Sequence, residues 1–220
     1  MRLFGLIMIL LASWAGPAIG EDVNSTVPLS RLFSKYADFL AMPADKRVDL
    51  VPRYKLLSKL ANPSDVVLAF VFKGKQQHIA VDADGFLDFS PSKAMLEANP
   101  IVSVNQLKGT MGISLSIGFK IGEAKKFDMA VLHGRVHRAF KAAKSLGGIM
   151  AVFAPSHTGL RLKFNSSCSA PSAFFSAEGK DEPLLFDKDG FVLVPFKKQK
   201  KMRKGGDLKL SCPVSQAELA

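Results

Sequence analysis

The chain has 220 residues, 48% of them hydrophobic and 22% charged, with a formal net charge of +11. That composition belongs to an ordinary globular protein with enough apolar material for one large or two small cores, not to a disordered or low-complexity chain. The excess of lysine and arginine attracts polyanions and acidic surfaces and disfavours basic partners.

Residues 1–20 read as a secretory signal peptide, since Arg2 precedes an apolar run from Leu3 to Ala12 and small residues, Ala18 and Gly20, stand just ahead of a cut before Glu21. The run is shorter than the roughly 20 residues of a spanning helix. No later segment is long and apolar enough to cross a bilayer, and no cysteine stands at the cut to receive a lipid. The expected location is periplasmic or secreted, with no transmembrane span after cleavage.

Residues 21–60 read as an N-terminal helical and irregular segment. Leu29, Leu32, Phe33, Tyr36, Phe39 and Leu40 recur at spacings of three and four and predict an amphipathic helix over 28–42. Between 48 and 60 the apolar residues fit neither period well and Pro52 interrupts them; a strand is assigned there. Residues 61–121 form a first β-module with strands at 66–72, 78–81, 86–89, 101–105 and 111–119, and a helical turn over 91–99. Residues 122–150 hold a connecting helix with Asp128 as N-cap, an apolar face of Met129, Leu132, Val136, Phe140 and Ala143, and Gly147-Gly148 as its stop. Residues 151–220 form a second β-module with strands at 159–164, 173–176, 183–186, 191–196 and 208–212. The fold class expected is mainly β within α+β: two related small antiparallel β-sandwich-like modules with an N-terminal helix and an inter-module helix.

The relation between the modules rests on an internal echo. Asp82-Ala83-Asp84-Gly85-Phe86 returns 105 residues later as Asp187-Lys188-Asp189-Gly190-Phe191, each an Asp-x-Asp-Gly turn between apolar runs. A second echo pairs Lys108-Gly109 and the strand after it with Lys204-Gly205 and the strand after that, 96 residues apart. These hairpins look similar to those of transthyretin-like and immunoglobulin-like modules of exported bacterial proteins, a resemblance of a few residues per module that carries no function over.

The two cysteines, Cys168 and Cys212, both fall in the second module, and export predicts that they pair. Charge is uneven. From 21 to 118 there are 11 basic and 10 acidic residues; from 119 to 154, 7 and 2; from 155 onward, 11 and 7. The basic residues concentrate on the connecting helix (Arg135, Arg138, Lys141, Lys144) and in one run (Lys197, Lys198, Lys200, Lys201, Arg203, Lys204). These ten are the candidate anion- or partner-binding residues, against the plain reading of a solvated lysine-rich hairpin tip.

Other chemistry is sparse. The Asp-x-Asp-Gly turns share part of a calcium loop, but on the EF-hand pattern the first-ligand positions hold Ala80 and Leu185 and the bidentate-Glu positions hold Pro91 and Phe196. The plain hairpin turn is preferred. His133 and His137 stand four apart on a helix, a spacing that can bind a transition metal, without the glutamate of His-Glu-x-x-His or an obvious third ligand. No nucleophile elbow or phosphate loop occurs. The only tryptophan, Trp14, lies in the leader, leaving Tyr36 and Tyr54 beside phenylalanines that read as core; carbohydrate-stacking and nucleic-acid roles therefore rank below charge-based ones. No catalytic residue, metal ligand or cofactor is assigned. The function expected is an exported non-enzymatic binding or accessory protein of the bacterial cell envelope, whose basic second half engages an anionic polymer, lipid head groups or an acidic protein. The alternative is a metal-dependent protein or enzyme using His133 and His137.

Overall fold

The computed structural model describes residues 25–59, 61–147, 159–196, 202 and 204–220. The leader lies outside these residues, as do Lys197, Lys198, Lys200, Lys201 and Arg203 of the basic run.

Strand β1 (Ser25–Pro28) leads into helices α1 (Leu29–Leu32), α2 (Tyr36–Ala41) and α3 (Ala44–Arg47). Strands β2 (Leu50–Ser58), β3 (Leu68–Phe72), β4 (Lys75–Val81) and β5 (Leu87–Asp88) follow, then α4 (Lys93–Ala98), β6 (Ile101–Val104) and β7 (Met111–Phe119). The second half begins with β8 (Lys126–Asp128) and α5 (Met129–Gly147), and continues with β9 (Leu160–Phe164), β10 (Ala173–Ala177), β11 (Lys180–Pro183), β12 (Val192–Val194), β13 (Asp207–Leu210) and β14 (Val214–Leu219). The fold is mainly β, with helices, in three antiparallel sheets.

The strand order shows the duplication directly. One sheet runs β1-β6-β3-β4-β5 and another β8-β13-β10-β11, so each half builds an outer sheet from four matching strands in the same order, to which the first half adds β5. Registers agree as well: Leu68 pairs with Val104 in the first half and Ala173 with Leu210 in the second. The β3–β4 and β10–β11 hairpins turn on Lys73-Gly74 (φ 51° and 72°) and Glu178-Gly179 (φ 52° and 76°), both pairs left-handed as a two-residue I′ turn requires. Even the helix entries match, with the Leu29 amide donating to Pro100 O at 3.0 Å and the Met129 amide to Gly206 O at 2.9 Å.

The third sheet, β12-β9-β14-β7-β2, takes strands from both halves. Its seam is the antiparallel pairing of β7 with β14, where Glu218 stands opposite Gly118. Pairing of equivalent strands head to tail relates the halves by an approximate twofold axis through the seam. The outer sheets pack on the inner face of this shared sheet. The buried apolar residues form one cluster that includes Leu56, Leu68 and Phe119 from one half and Leu160, Phe175 and Leu208 from the other.

Several sequence expectations need correction. The single helix over 28–42 is broken: α1 ends at Phe33, and Lys35 takes a left-handed φ of 67° before α2. The periodicity survives the break because both pieces direct Leu29, Leu32, Phe33, Tyr36 and Phe39 into the core. The Ser34 carbonyl, which a continuous helix would pair four residues on, accepts from the Tyr54 hydroxyl at 2.6 Å. Within the segment over 48–60 the strand β2 covers Leu50–Ser58, and the ambiguity at Pro52 has a physical source: β2 pairs with β7 on one side only along most of its length, so the missing amide costs no ladder bond on the open side. The strand assigned to 183–186 falls earlier, at β11, whose four residues are all exposed. Of the apolar run that suggested it, Leu185 is 80% exposed and only Phe186 makes an isolated bridge, to Val192. Finally, the 96-residue echo does not join equivalent elements. The strand after Lys108 is β7 in the shared sheet, whereas the strand after Lys204 is β13 in an outer sheet. The true counterpart of β13 is β6, which keeps Val102 and Val104 in the places of Leu208 and Leu210.

Candidate functional site

Two surfaces gather chemistry. The first is the outer face of the shared sheet. Strand β2 turns Tyr54 and Leu56 into the core, so Arg53 and Lys55 face out; β9 likewise buries Leu160, Leu162 and Phe164 and projects Arg161 and Lys163. The register places Arg53 opposite Ser116 and Arg161 opposite Glu218, so these arginines hold equivalent positions.

Each Asp-x-Asp-Gly-Phe turn delivers its phenylalanine to this pair of cations. In the first, the Asp82 amide donates to Phe86 O, the Gly85 amide to Asp82 O, and the Phe86 amide to Asp82 Oδ1 (2.9, 2.9 and 2.7 Å). The second repeats these bonds between Asp187, Gly190 and Phe191 (2.7, 3.1 and 3.0 Å). Glycine is required at the fourth position, where φ is 87° and 76°. The rings then lie under guanidinium groups, with Arg53 Cζ 4.1 Å from the Phe86 centroid and Arg161 Cζ 4.2 Å from that of Phe191. Lys55 and Lys163 stand at 5.4 and 5.8 Å from the same rings.

Between the two constellations, over the seam, lies a groove of about 310 Å3 floored by Ser114, Ser116, Gln216 and Glu218. Gly118 beside it has no side chain, and a Cβ there would come within 3.1 Å of the Arg53 Cδ, so glycine lets Arg53 lie flat on the sheet. At the groove an ion pair crosses between the halves, Lys163 Nζ to Asp84 Oδ2 at 3.6 Å. Arg161 holds three carboxylates, Asp187 at 2.8 Å, Asp189 at 3.5 Å and Glu218 at 3.6 Å. The Phe191 amide, and after it the Arg161 guanidinium, hold the Asp187 carboxyl below its usual range. Burial lowers the pKa of Arg53, opposed by the charges of Glu218, Asp82 and Asp84.

The second surface is the basic one. Arg138, Lys141 and Lys144 are exposed on α5, with Lys144 Nζ 4.6 Å from the Phe140 ring, and Lys204 is exposed where the described chain resumes. Arg135 has different company. Its guanidinium donates to Asp49 Oδ1 at 2.7 and 3.0 Å and to Lys120 O at 2.6 Å, and Asp49 is only 7% exposed. This ties α5 of the second half to the start of β2 in the first. Described residues on either side of the basic run contact α5: the Phe196 ring lies 5.1 Å from that of His133, and Gly206 O accepts from the first amide of α5. Within the run, Met202 is fully buried.

His133 and His137 stack with centroids 6.3 Å apart. Among the described residues no three His, Cys, Asp or Glu side chains gather as a metal site. In the two Asp-x-Asp-Gly turns the leading aspartates spend an oxygen on their own backbone, Asp82 on Phe86 N and Asp187 on Asp189 N and Phe191 N, as the plain turn reading expects.

Cys168 and Cys212 are bonded, with Cα atoms 6.0 Å apart. The bridge joins the β9–β10 connection to the β13–β14 turn. In both halves the same two segments are also held by a polar side chain: Asn105 accepts from the Val67 amide and donates to Asp65 O, and Ser211 accepts from the Ser172 amide and donates to Ala170 O. The disulfide is thus an addition to a shared device. No helix among the described residues is long and apolar enough to cross a membrane. Comparison of the chain with protein-family models, curated proteins and solved structures finds no match.

The groove residues were missed in the sequence except for their two turns. A signal existed: Arg53-x-Lys55 and Arg161-x-Lys163 each precede an Asp-x-Asp-Gly-Phe turn by a similar distance.

Proposed function

We propose that this is an exported, non-enzymatic binding protein of the bacterial cell envelope, which engages an anionic polymer through the basic face built around α5. The observation that supports the reading is that residues on either side of the basic run contact the first turns of that helix, Phe196 on His133 and Gly206 on Met129. Arg138, Lys141 and Lys144 are exposed further along the same helix, and in this reading the cations of the two segments act together on one partner. Export is supported by the disulfide, which persists in an oxidising compartment. Arg135 serves this face indirectly, by holding α5 in place.

Retention on a dextran sulfate matrix tests the proposal. The mature protein should bind at low salt and elute as ionic strength rises, because exposed contacts are screened. The variant with Lys200, Lys201, Arg203 and Lys204 all replaced by Glu should fail to bind while its melting temperature hardly moves. Unchanged retention would overturn the reading, and binding of the wild type to anionic vesicles but not to the polymer would move the partner to the membrane surface.

A further inference from the structure

The groove over the seam differs from the basic face in being balanced: Lys55, Arg161 and Lys163 face Asp84, Asp189 and Glu218. That balance is selective. An apolar occupant would strand these charges out of water. A polyanion meets the carboxylates, and a polycation meets the ammonium and guanidinium groups. Hydroxyl groups fit, since each can donate to a carboxylate while accepting from a neighbouring lysine or arginine, and the floor side chains Ser114, Ser116 and Gln216 supply both roles.

The cations are not equivalent toward a ligand. Arg161 is taken by Asp187, Asp189 and Glu218, and Lys163 by Asp84. Lys55 stands over the Phe86 ring and pairs with no carboxylate among the described residues. A ligand carboxylate therefore gains an ammonium partner at Lys55 without breaking an existing pair. The approximate twofold axis repeats Phe86, Asp84 and Lys55 as Phe191, Asp189 and Lys163 on the far side, so a ligand of linked units meets similar groups at both ends. A volume of about 310 Å3 lies within the range of small-molecule sites.

We infer that this groove binds a short acidic saccharide, seating its carboxylate on Lys55 and its hydroxyl groups between the paired carboxylates and cations. The inference goes beyond the basic face and does not depend on it.

Titration of digalacturonate into the 15N-labelled mature protein tests it. Amide shifts should concentrate on Ser114, Ser116, Gln216 and Glu218. Lys55→Met should bind about tenfold more weakly, as expected for loss of one charge-assisted contact, and Lys55→Arg should retain binding; the spectra also report whether each variant is folded. Glutarate, which carries carboxylates but no hydroxyl groups, should bind far more weakly than digalacturonate. Equal binding of glutarate, no shift at millimolar saccharide, shifts confined to α5, or an unchanged affinity in folded Lys55→Met would each overturn the inference. Because Lys55→Met leaves the α5 face intact, its retention on dextran sulfate should stay at the wild-type level, which separates this test from that of the basic face.

Discussion

At the residue scale, the most informative side chain is Arg135, since a cation that reads as surface charge is instead a strut. Asp49 is nearly buried and its Oδ1 accepts two bonds from one guanidinium. Removing the partner leaves that charge uncompensated, so Arg135→Ala should cost roughly 2 to 4 kcal/mol of stability, whereas Lys141→Ala, at an exposed position, should cost little. Urea denaturation of the two variants compares them. The depressed Asp187 carboxyl has its own consequence. Its folded pKa lies below the unfolded value, so its contribution to stability is complete above about pH 4 and is lost as pH falls through the folded pKa. A carboxyl-detected NMR titration should place the Asp187 midpoint below the ordinary aspartate range, and Asp187→Asn should flatten the acid limb of the stability profile.

At the element scale, the two Asp-x-Asp-Gly-Phe turns share their hydrogen bonds but not their surroundings. Both glycines have positive φ, so an alanine at either is strained by about 1 to 2 kcal/mol. At Gly85, however, a Cβ would also press to 2.9 Å from Leu56 O, while nothing lies within 4 Å at Gly190. Gly85→Ala should therefore lower the melting temperature distinctly more than Gly190→Ala. The disulfide is the other element-scale difference between the halves. It closes a loop of 44 residues, for which chain entropy predicts about 4 kcal/mol. Because the Ser211 bonds hold the same segments, the Cys168→Ala, Cys212→Ala double variant should lose stability in guanidinium unfolding, but less than that amount.

At the scale of the whole molecule, the shared sheet and continuous core make the halves interdependent. Unfolding should be one cooperative transition. A chain of residues 21–220 offers a simple check because it has no tryptophan and its tyrosines, Tyr36 and Tyr54, both lie in the first half. Tyrosine fluorescence reports that half alone and far-ultraviolet circular dichroism reports the whole, so the two curves should coincide in urea. Separated midpoints would mean that the β7–β14 seam does not couple the halves.

What the sequence determined by itself was local. Alternation and turn chemistry marked most strands, Asp128 was legible as the N-cap of α5 and accepts from the Val131 amide at 2.8 Å, and two cysteines behind a leader-like segment pointed to their bond. The repeated Asp-x-Asp-Gly-Phe turn disclosed the duplication because each of its residues has a backbone role that few others can fill. Tertiary structure decided the rest. The break at Lys35 was hidden because the core selects the same apolar faces on both sides of it. β14 alternates too weakly to be read as a strand, yet it carries the seam, since edge pairing depends on backbone groups that every residue has. The groove needed both halves side by side: Lys163 and Asp84 are far apart in the chain, and only the antiparallel pairing of equivalent strands brings their charges to 3.6 Å.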